Sequence, residues 1–184
     1  IGPITDALRA DAGAGPVLVT PAFPETGRTV FQGHLFVGPV PLNESPLKDH
    51  PLNPMRDANL VRVLARQSRH SVGLVDRATV AAGAAAVEAR LARLASEGKG
   101  AAIADVIEDA DLTVLGAVAS RMPLSVGASG LGLGLARAFA ATGGGGVARG
   151  PAAEAAVGGP APGLAGSRSA ATPPQIAGAE AFLP

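Results

Sequence analysis

The chain of 184 residues has no cysteine, no tryptophan and no tyrosine. Without thiols it can form no disulfide, no thiolate metal site and no sulfur nucleophile, which fits a reducing compartment, and a cytoplasmic location is expected. Aromatics make up 3% of the sequence, five phenylalanines in all, so the core must be built from small, closely packed aliphatic side chains. An excess of charge of either sign is also missing: fifteen basic residues balance fifteen acidic ones. No sequence-wide field therefore favours nucleic acid or an anionic membrane, and neither partner is expected. Nor is there a run of about 18 apolar residues long enough to span a bilayer. The opening "IGPITDALRA" has neither an initiator methionine nor a basic segment ahead of an apolar run. The expectation is a soluble piece of a longer protein.

What is present is 47% hydrophobic and 16% charged, the balance of a folded chain, with a length suited to one domain and a further end. Pro3 and Thr5 precede "DALRADAG", a short helix that Gly13 can end, and the apolar run "VLVT" follows. A second helix is expected over 57–67 and a buried strand in "VGLV", Val72 to Val75. A helix is expected from Val80 to Glu97, capped by Thr79, because Val80, Ala84, Val87, Leu91 and Leu94 recur at spacings of four and three. Then come "AAIAD" as a strand, a helix from Asp109 to Ser120, and "LSVG" as a strand entering "ASGLGLG". Strands and helices in this alternation imply an α/β fold, a parallel sheet with helices on both faces. Residues 142–163 mix a glycine tract with proline and alanine and read as a flexible linker, after which a second α/β domain begins.

Ligands of open parallel sheets bind beyond the carboxyl ends of the strands, so the residues that follow each strand carry the functional argument. Gly127, Gly130, Gly132 and Gly134 lie between a strand and a helix, where bare N–H groups could hold an anion. Close helix-to-sheet packing explains the same glycines, and they match neither G-x-G-x-x-G nor the Walker pattern. Asp76 and Asp105 at strand ends could orient a hydroxyl or a metal, or could cap the next helix. His34, His50 and His70 occur singly, with no second ligand one turn away, so a metal site is not expected. The segment "TPAFPETGRTVFQGHLFV", Thr20 to Val37, differs from all of these. Pro21, Pro24 and Gly27 fix an irregular loop, Arg28 offers a rigid fork of donors for a carboxylate or phosphate, and a β-excursion turns near Gln32-Gly33. Arg28 could equally pair with Glu25 while the phenylalanines pack.

The same segment, followed by "LNESPLKDHPLNPMRDANLVRVLARQ", resembles the four-carbon acid sugar kinase family, and within it the 3-oxo-tetronate kinases, whose pattern is close to CPAFPxxGRTVYQGHLFV, LxES and HPLTPMTDxNLVRxL. "ADVIEDADLTVLGAVA", "LSVGASGLGLGLARA" and "GLAGSRSAAT" resemble the family's later segments. The resemblance implies ATP- and Mg2+-dependent phosphorylation of the terminal hydroxyl of a four-carbon sugar acid, in a cleft between an acid-sugar domain and a nucleotide domain. It implies that residues 1–141 are the latter part of the first domain, 142–163 the linker and 164–184 the start of the second. Carried over residue by residue, it places Arg28, Thr29, Gly33, His34, Asp105, Gly127, Ser129 and Gly130 on the substrate side, and Gly166, Ser167 and Ser169 on the ATP side. Catalytic residues and a protein-held metal are not identified. Ala128 stands where the family has a glycine, which restricts the backbone there, and Thr20 and Arg168 stand where it has cysteines. The partners implied are a sugar acid and ATP, with homo-oligomerisation possible. Two other readings are a non-catalytic acid-binding or interaction module and a Rossmann oxidoreductase, the latter opposed by the failed glycine pattern.

Overall fold

The computed structural model describes residues 1–143, 166 and 172–180. The chain divides into two units, Ile1–Gly146 and Val147–Pro184. In the second, the helix Thr172–Glu180 and Gly166 are described; most of the expected linker and much of the expected second domain lie outside the described residues.

The first unit begins with α1 (Gly2–Asp11), which starts earlier than the sequence suggests because Pro3 sits in its first turn, where the missing N–H costs nothing. Four short apolar segments, β1 (Val17–Thr20), β5 (Val72–Val75), β6 (Ala101–Ala104) and β7 (Ser125–Gly127), form an all-parallel sheet in the order β5-β6-β1-β7. Every residue of the central strands β1 and β6 is buried, as expected for strands covered on both faces. Between β1 and β5 the chain makes an excursion: β2 (Arg28–Phe31), β3 (His34–Val37) and β4 (Val40–Pro41) form a separate antiparallel sheet. It is followed by α2 (Leu60–Ala65), whose N-cap is Asn59.

The helix expected over 80–97 is instead two, α3 (Arg77–Ala81) and α4 (Ala84–Ser96). Gly83, at φ 97, breaks the helix in a conformation that side-chain-bearing residues rarely adopt. The cap of α3 is Asp76, whose carboxylate accepts the Thr79 N–H at 2.8 Å, so Thr79 is the donor and not the cap. Then come α5 (Asp109–Ala119) and α6 (Ser129–Ala141). A Cβ on Gly73 would lie 2.5 Å from Leu94 of α4, whereas Leu74, on the opposite face, approaches Gly33 of the hairpin beside Val61 of α2. Helices thus cover both faces of the sheet. Among the described residues no helix is long and apolar enough to cross a membrane.

Alanine and glycine make the layers thin. At the α5–α6 contact the backbones touch: a Cβ on Gly116 would lie 2.1 Å from the Gly134 carbonyl carbon, and one on Gly134 the same distance from the Leu112 oxygen. Gly132, on the same helix, faces open space. Gly116→Ala should therefore destabilise by about 2 kcal/mol or more through forced separation of the helices. Gly132→Ala should stabilise by about 0.5–1 kcal/mol through helix propensity. Urea denaturation midpoints of the two variants, shifting in opposite directions, check this packing.

Candidate functional site

The β2–β3 hairpin turns through Gln32 and Gly33, at φ 48 and 70, the pair of left-handed residues that a two-residue type I′ turn requires. Glycine takes this geometry freely; for glutamine it costs on the order of 1 kcal/mol. The turn is held from below by Asp105, the residue after β6, which is wholly buried. One carboxylate oxygen accepts the N–H groups of Gln32 at 2.8 Å and Arg77 at 3.0 Å, and the other accepts the Gly33 N–H at 2.8 Å. One step further, Val30 and Val106 exchange backbone hydrogen bonds at 2.7 and 2.9 Å. Burial pushes the Asp105 carboxyl above its ordinary range and the charge of Asp76 adds to this, while the three N–H donors pull the other way. Asp105 is thus no simple helix cap, because it joins the hairpin turn to the N-terminus of α3.

From the other side His34 closes the lock. Its Nδ1 lies 2.8 Å from the Gln32 carbonyl oxygen, which can only accept, so Nδ1 carries the proton. Its Nε2 lies 3.2 Å from the Asn59 amide nitrogen. The Asn59 side-chain oxygen accepts the Arg62 N–H at 2.9 Å, so one amide caps α2 and orients the imidazole. Asp57 supports this joint, accepting from the Asn59 N–H at 3.0 Å, Arg62 Nε at 2.7 Å and Arg66 at 3.1 Å. Asn59 and Asp57 were not among the sequence-derived candidates, although "DAN" ahead of an apolar run is a recognisable cap signal.

At its base the hairpin meets a different element. Arg28 exchanges backbone hydrogen bonds with Phe23 at 2.8 and 3.1 Å. Phe23 and Ala22 in turn press on the first turn of α6, where a Cβ on Gly130 would lie 2.3 Å from the Ala22 carbonyl oxygen and 3.2 Å from the Phe23 Cα. Only glycine fits there. The Arg28 guanidinium is exposed and makes no hydrogen bond or ion pair among the described residues, so the pairing with Glu25 weighed from the sequence does not occur. Ser129 and Gly130, first in α6, have N–H groups without intrahelical acceptors. Ala128 does not disturb them: its backbone is extended, at φ −88 and ψ −172, a conformation open to any residue.

The hairpin therefore lies across the carboxyl edge of the parallel sheet, its tip over β5 and β6 and its base beside β1, β7 and the start of α6. The structure brings Arg28 to the neighbourhood of Gly127, Ser129 and Gly130. Gly33 and His34 lie at the tip, and Asp105 lies beneath it with no exposed surface. Thr29 and His34 share the hairpin face opposite to buried Val30 and Leu35, so they and Arg28 project from different faces. Gly166 is exposed; Ser167 and Ser169 lie outside the described residues. A groove of about 860 Å3 runs along α2, but its cations Arg62 and Arg66 are bound by Asp57 and Arg56 is paired with Asp49. Each of these guanidiniums thus already has a carboxylate partner, with Asp57 alone serving two of them.

A family model described as a sugar-binding N-terminal domain matches residues 1–135. The chain belongs to this family. The chain is 69% identical over its whole length to a 3-oxo-tetronate kinase of Methylobacterium radiotolerans, covering 44% of that protein. It is 48% identical over its whole length to a 3-oxo-tetronate kinase of Burkholderia multivorans, covering 43% of it. The chain thus spans less than half the length of these curated relatives, and the resemblance read from its motifs is borne out. Among solved structures, a Haemophilus influenzae protein of the DUF1537 family is 41% identical, with a TM-score of 0.74 over 78% of this chain and 34% of that one. A Bordetella bronchiseptica domain of unknown function, a domain-swapped dimer with bound citrate, is 28% identical, with a TM-score of 0.56 over 70% of this chain and 30% of that one.

The joint under the hairpin has a pH signature. Arg62 first, then the Asn59 N–H and the charge of Arg66, hold the Asp57 carboxyl down to about 2, against burial. A carboxyl whose pKa is lower folded than unfolded contributes stability above the unfolded value, and that contribution is lost as pH falls through the folded one. The melting-temperature gap between wild type and Asp57→Asn should be full at pH 6 and shrink progressively from about pH 4 to pH 2. A gap independent of pH would show that the charge of Asp57 does not support the joint.

Proposed function

We propose that this chain forms the acid-sugar side of an ATP-dependent kinase that phosphorylates the terminal hydroxyl of a four-carbon sugar acid, turning 3-oxo-tetronate into 3-oxo-tetronate 4-phosphate. The observation that carries the reading is Arg28, exposed and unpaired among the described residues, on a strand whose backbone partner Phe23 packs against the open N-terminus of α6, at the carboxyl edge of a domain from a sugar-binding family. Both offer donors to a carboxylate, Arg28 as a bidentate fork and the helix as bare N–H groups with a favourable dipole. The names of the full-coverage relatives support the substrate class, and the Bordetella protein, 30% of which matches this chain, binds citrate, itself a hydroxy-carboxylate.

In this reading Arg28, Ser129 and Gly130 hold the acid, and Gly127 lets the β7–α6 turn close tightly. Gly33 shapes the far wall, Asp105 supports it from within, and His34 braces the turn from the outer hairpin face that it shares with Thr29. ATP is the phosphoryl donor, with Gly166, Ser167 and Ser169 as its proposed contacts, and the substrate hydroxyl attacks the γ-phosphate in line. Mg2+ would arrive on the nucleotide phosphates, whose oxygens suit it as ligands. The location is cytoplasmic and the assembly a homo-oligomer, as the domain-swapped neighbour suggests. The chain's share of its relatives' length also leaves room for an acid-binding module without chemistry of its own.

A coupled ADP-release assay on the complete gene product, with a panel of 3-oxo and 3-hydroxy tetronates, should show turnover with at least one. Arg28→Lys should raise KM about tenfold with kcat little changed, because lysine is a point charge that cannot form the fork. No turnover with any tetronate would overturn the kinase reading, and an unchanged KM would remove Arg28 from the carboxylate site.

A further inference from the structure

Gln32 has a conformation that its own chemistry does not explain. The first central position of a type I′ turn favours asparagine, aspartate or glycine, whose short or absent side chains tolerate positive φ. Gln32 sits there at φ 48, the one residue other than glycine with positive φ among the described residues. It is held on both sides, its N–H by the buried Asp105 carboxylate at 2.8 Å and its carbonyl by His34 Nδ1 at 2.8 Å. The next residue cannot exchange roles with it, because a Cβ on Gly33, itself at φ 70, would lie 3.1 Å from Val61. So much support fixes the backbone of Gln32 while its side-chain amide is left exposed and makes no hydrogen bond among the described residues. Strain that the surroundings over-determine, next to a candidate site, points to a task for the strained residue.

We propose that Gln32 is a specificity-determining residue whose carboxamide binds the polar end of the acid away from its carboxylate. The proposal rests on the acid-binding reading above. The turn places Gln32 beyond the carboxyl ends of β5 and β6, at the far end of the hairpin from Arg28. An uncharged amide can donate to one oxygen of a polyhydroxy or oxo acid and accept from a hydroxyl, which a second cation could not do. Asp105 and His34 are then positioning residues, since they hold the backbone that aims this amide and do not themselves reach the ligand. The glutamine side chain reaches one methylene further than asparagine would from the same turn position.

Gln32→Gly separates the turn from the task. It removes the left-handed penalty, so its melting temperature should rise, while calorimetric affinity for a panel of threonates and erythronates should fall at least tenfold. Gln32→Asn, equally suited to the turn but one methylene shorter, should also bind at least fivefold more weakly. Wild-type affinity in Gln32→Gly would overturn the proposal, and so would a lower melting temperature, which would mean that the side chain serves the fold. Failure of the wild-type chain to bind any tetronate would overturn the acid-binding reading together with this inference, and so is distinguishable from failure of the inference alone.

Discussion

The buried carboxylate of Asp105 is the constraint on which the site is built. Three backbone N–H groups converge on it, two from a hairpin turn and one from the start of α3. Its burial is costly enough to push its own pKa upward, and these charge-assisted bonds offset that cost. Both turn N–H groups meet this carboxylate, and without an acceptor at this place the Gly33 N–H would be buried and unsatisfied. One acidic residue after one strand thereby converts a separate antiparallel hairpin into a fixed wall along the edge of a parallel sheet.

Small residues complete the arrangement. The α5–α6 contact is close because Gly116 and Gly134 have no side chains, and α6 reaches Ala22 because Gly130 has none. The scarcity of aromatics and the abundance of alanine and glycine are thus two sides of one design, in which backbones approach one another directly and helix termini come close to neighbouring loops. The same closeness brings the open first turn of α6 beside the strand that carries Arg28. Asn59 adds a second anchor by capping α2 with one end of its amide and orienting His34 with the other.

Local signals in the sequence were enough to find the strands of the parallel sheet and the hairpin, though not the two-residue β4. "VLVT", "VGLV", "AAIA" and "SVG" are short apolar runs set off by helices and glycines, and Gln32-Gly33 has the left-handed glycine of a tight turn. The break at Gly83 was hidden because the apolar spacing from Val80 to Ala84 continues across it and only the backbone changes hand. The work of Asp105 could not be read, because its hairpin partners lie 72 and 73 residues away and are backbone groups with no compositional trace. The freedom of Arg28 was undecidable for the same reason, since an ion pair with Glu25 is compatible with the spacing and only the fold rules it out. Resemblance to a family supplied what chemistry could not, the identity of an anion that Arg28 could hold.

The central claim is that the hairpin, fixed over the carboxyl edge, and the start of α6 are two walls of an acid-binding site. Titrating threonate into isotopically labelled chain and following backbone amide chemical shifts tests it most directly. The account predicts the largest shifts at Arg28, Gln32, Gly33, Ser129 and Gly130, with α4 unmoved. Shifts centred instead on the α2 groove around Met55, Arg62 and Arg66, or none at saturating ligand, would contradict it.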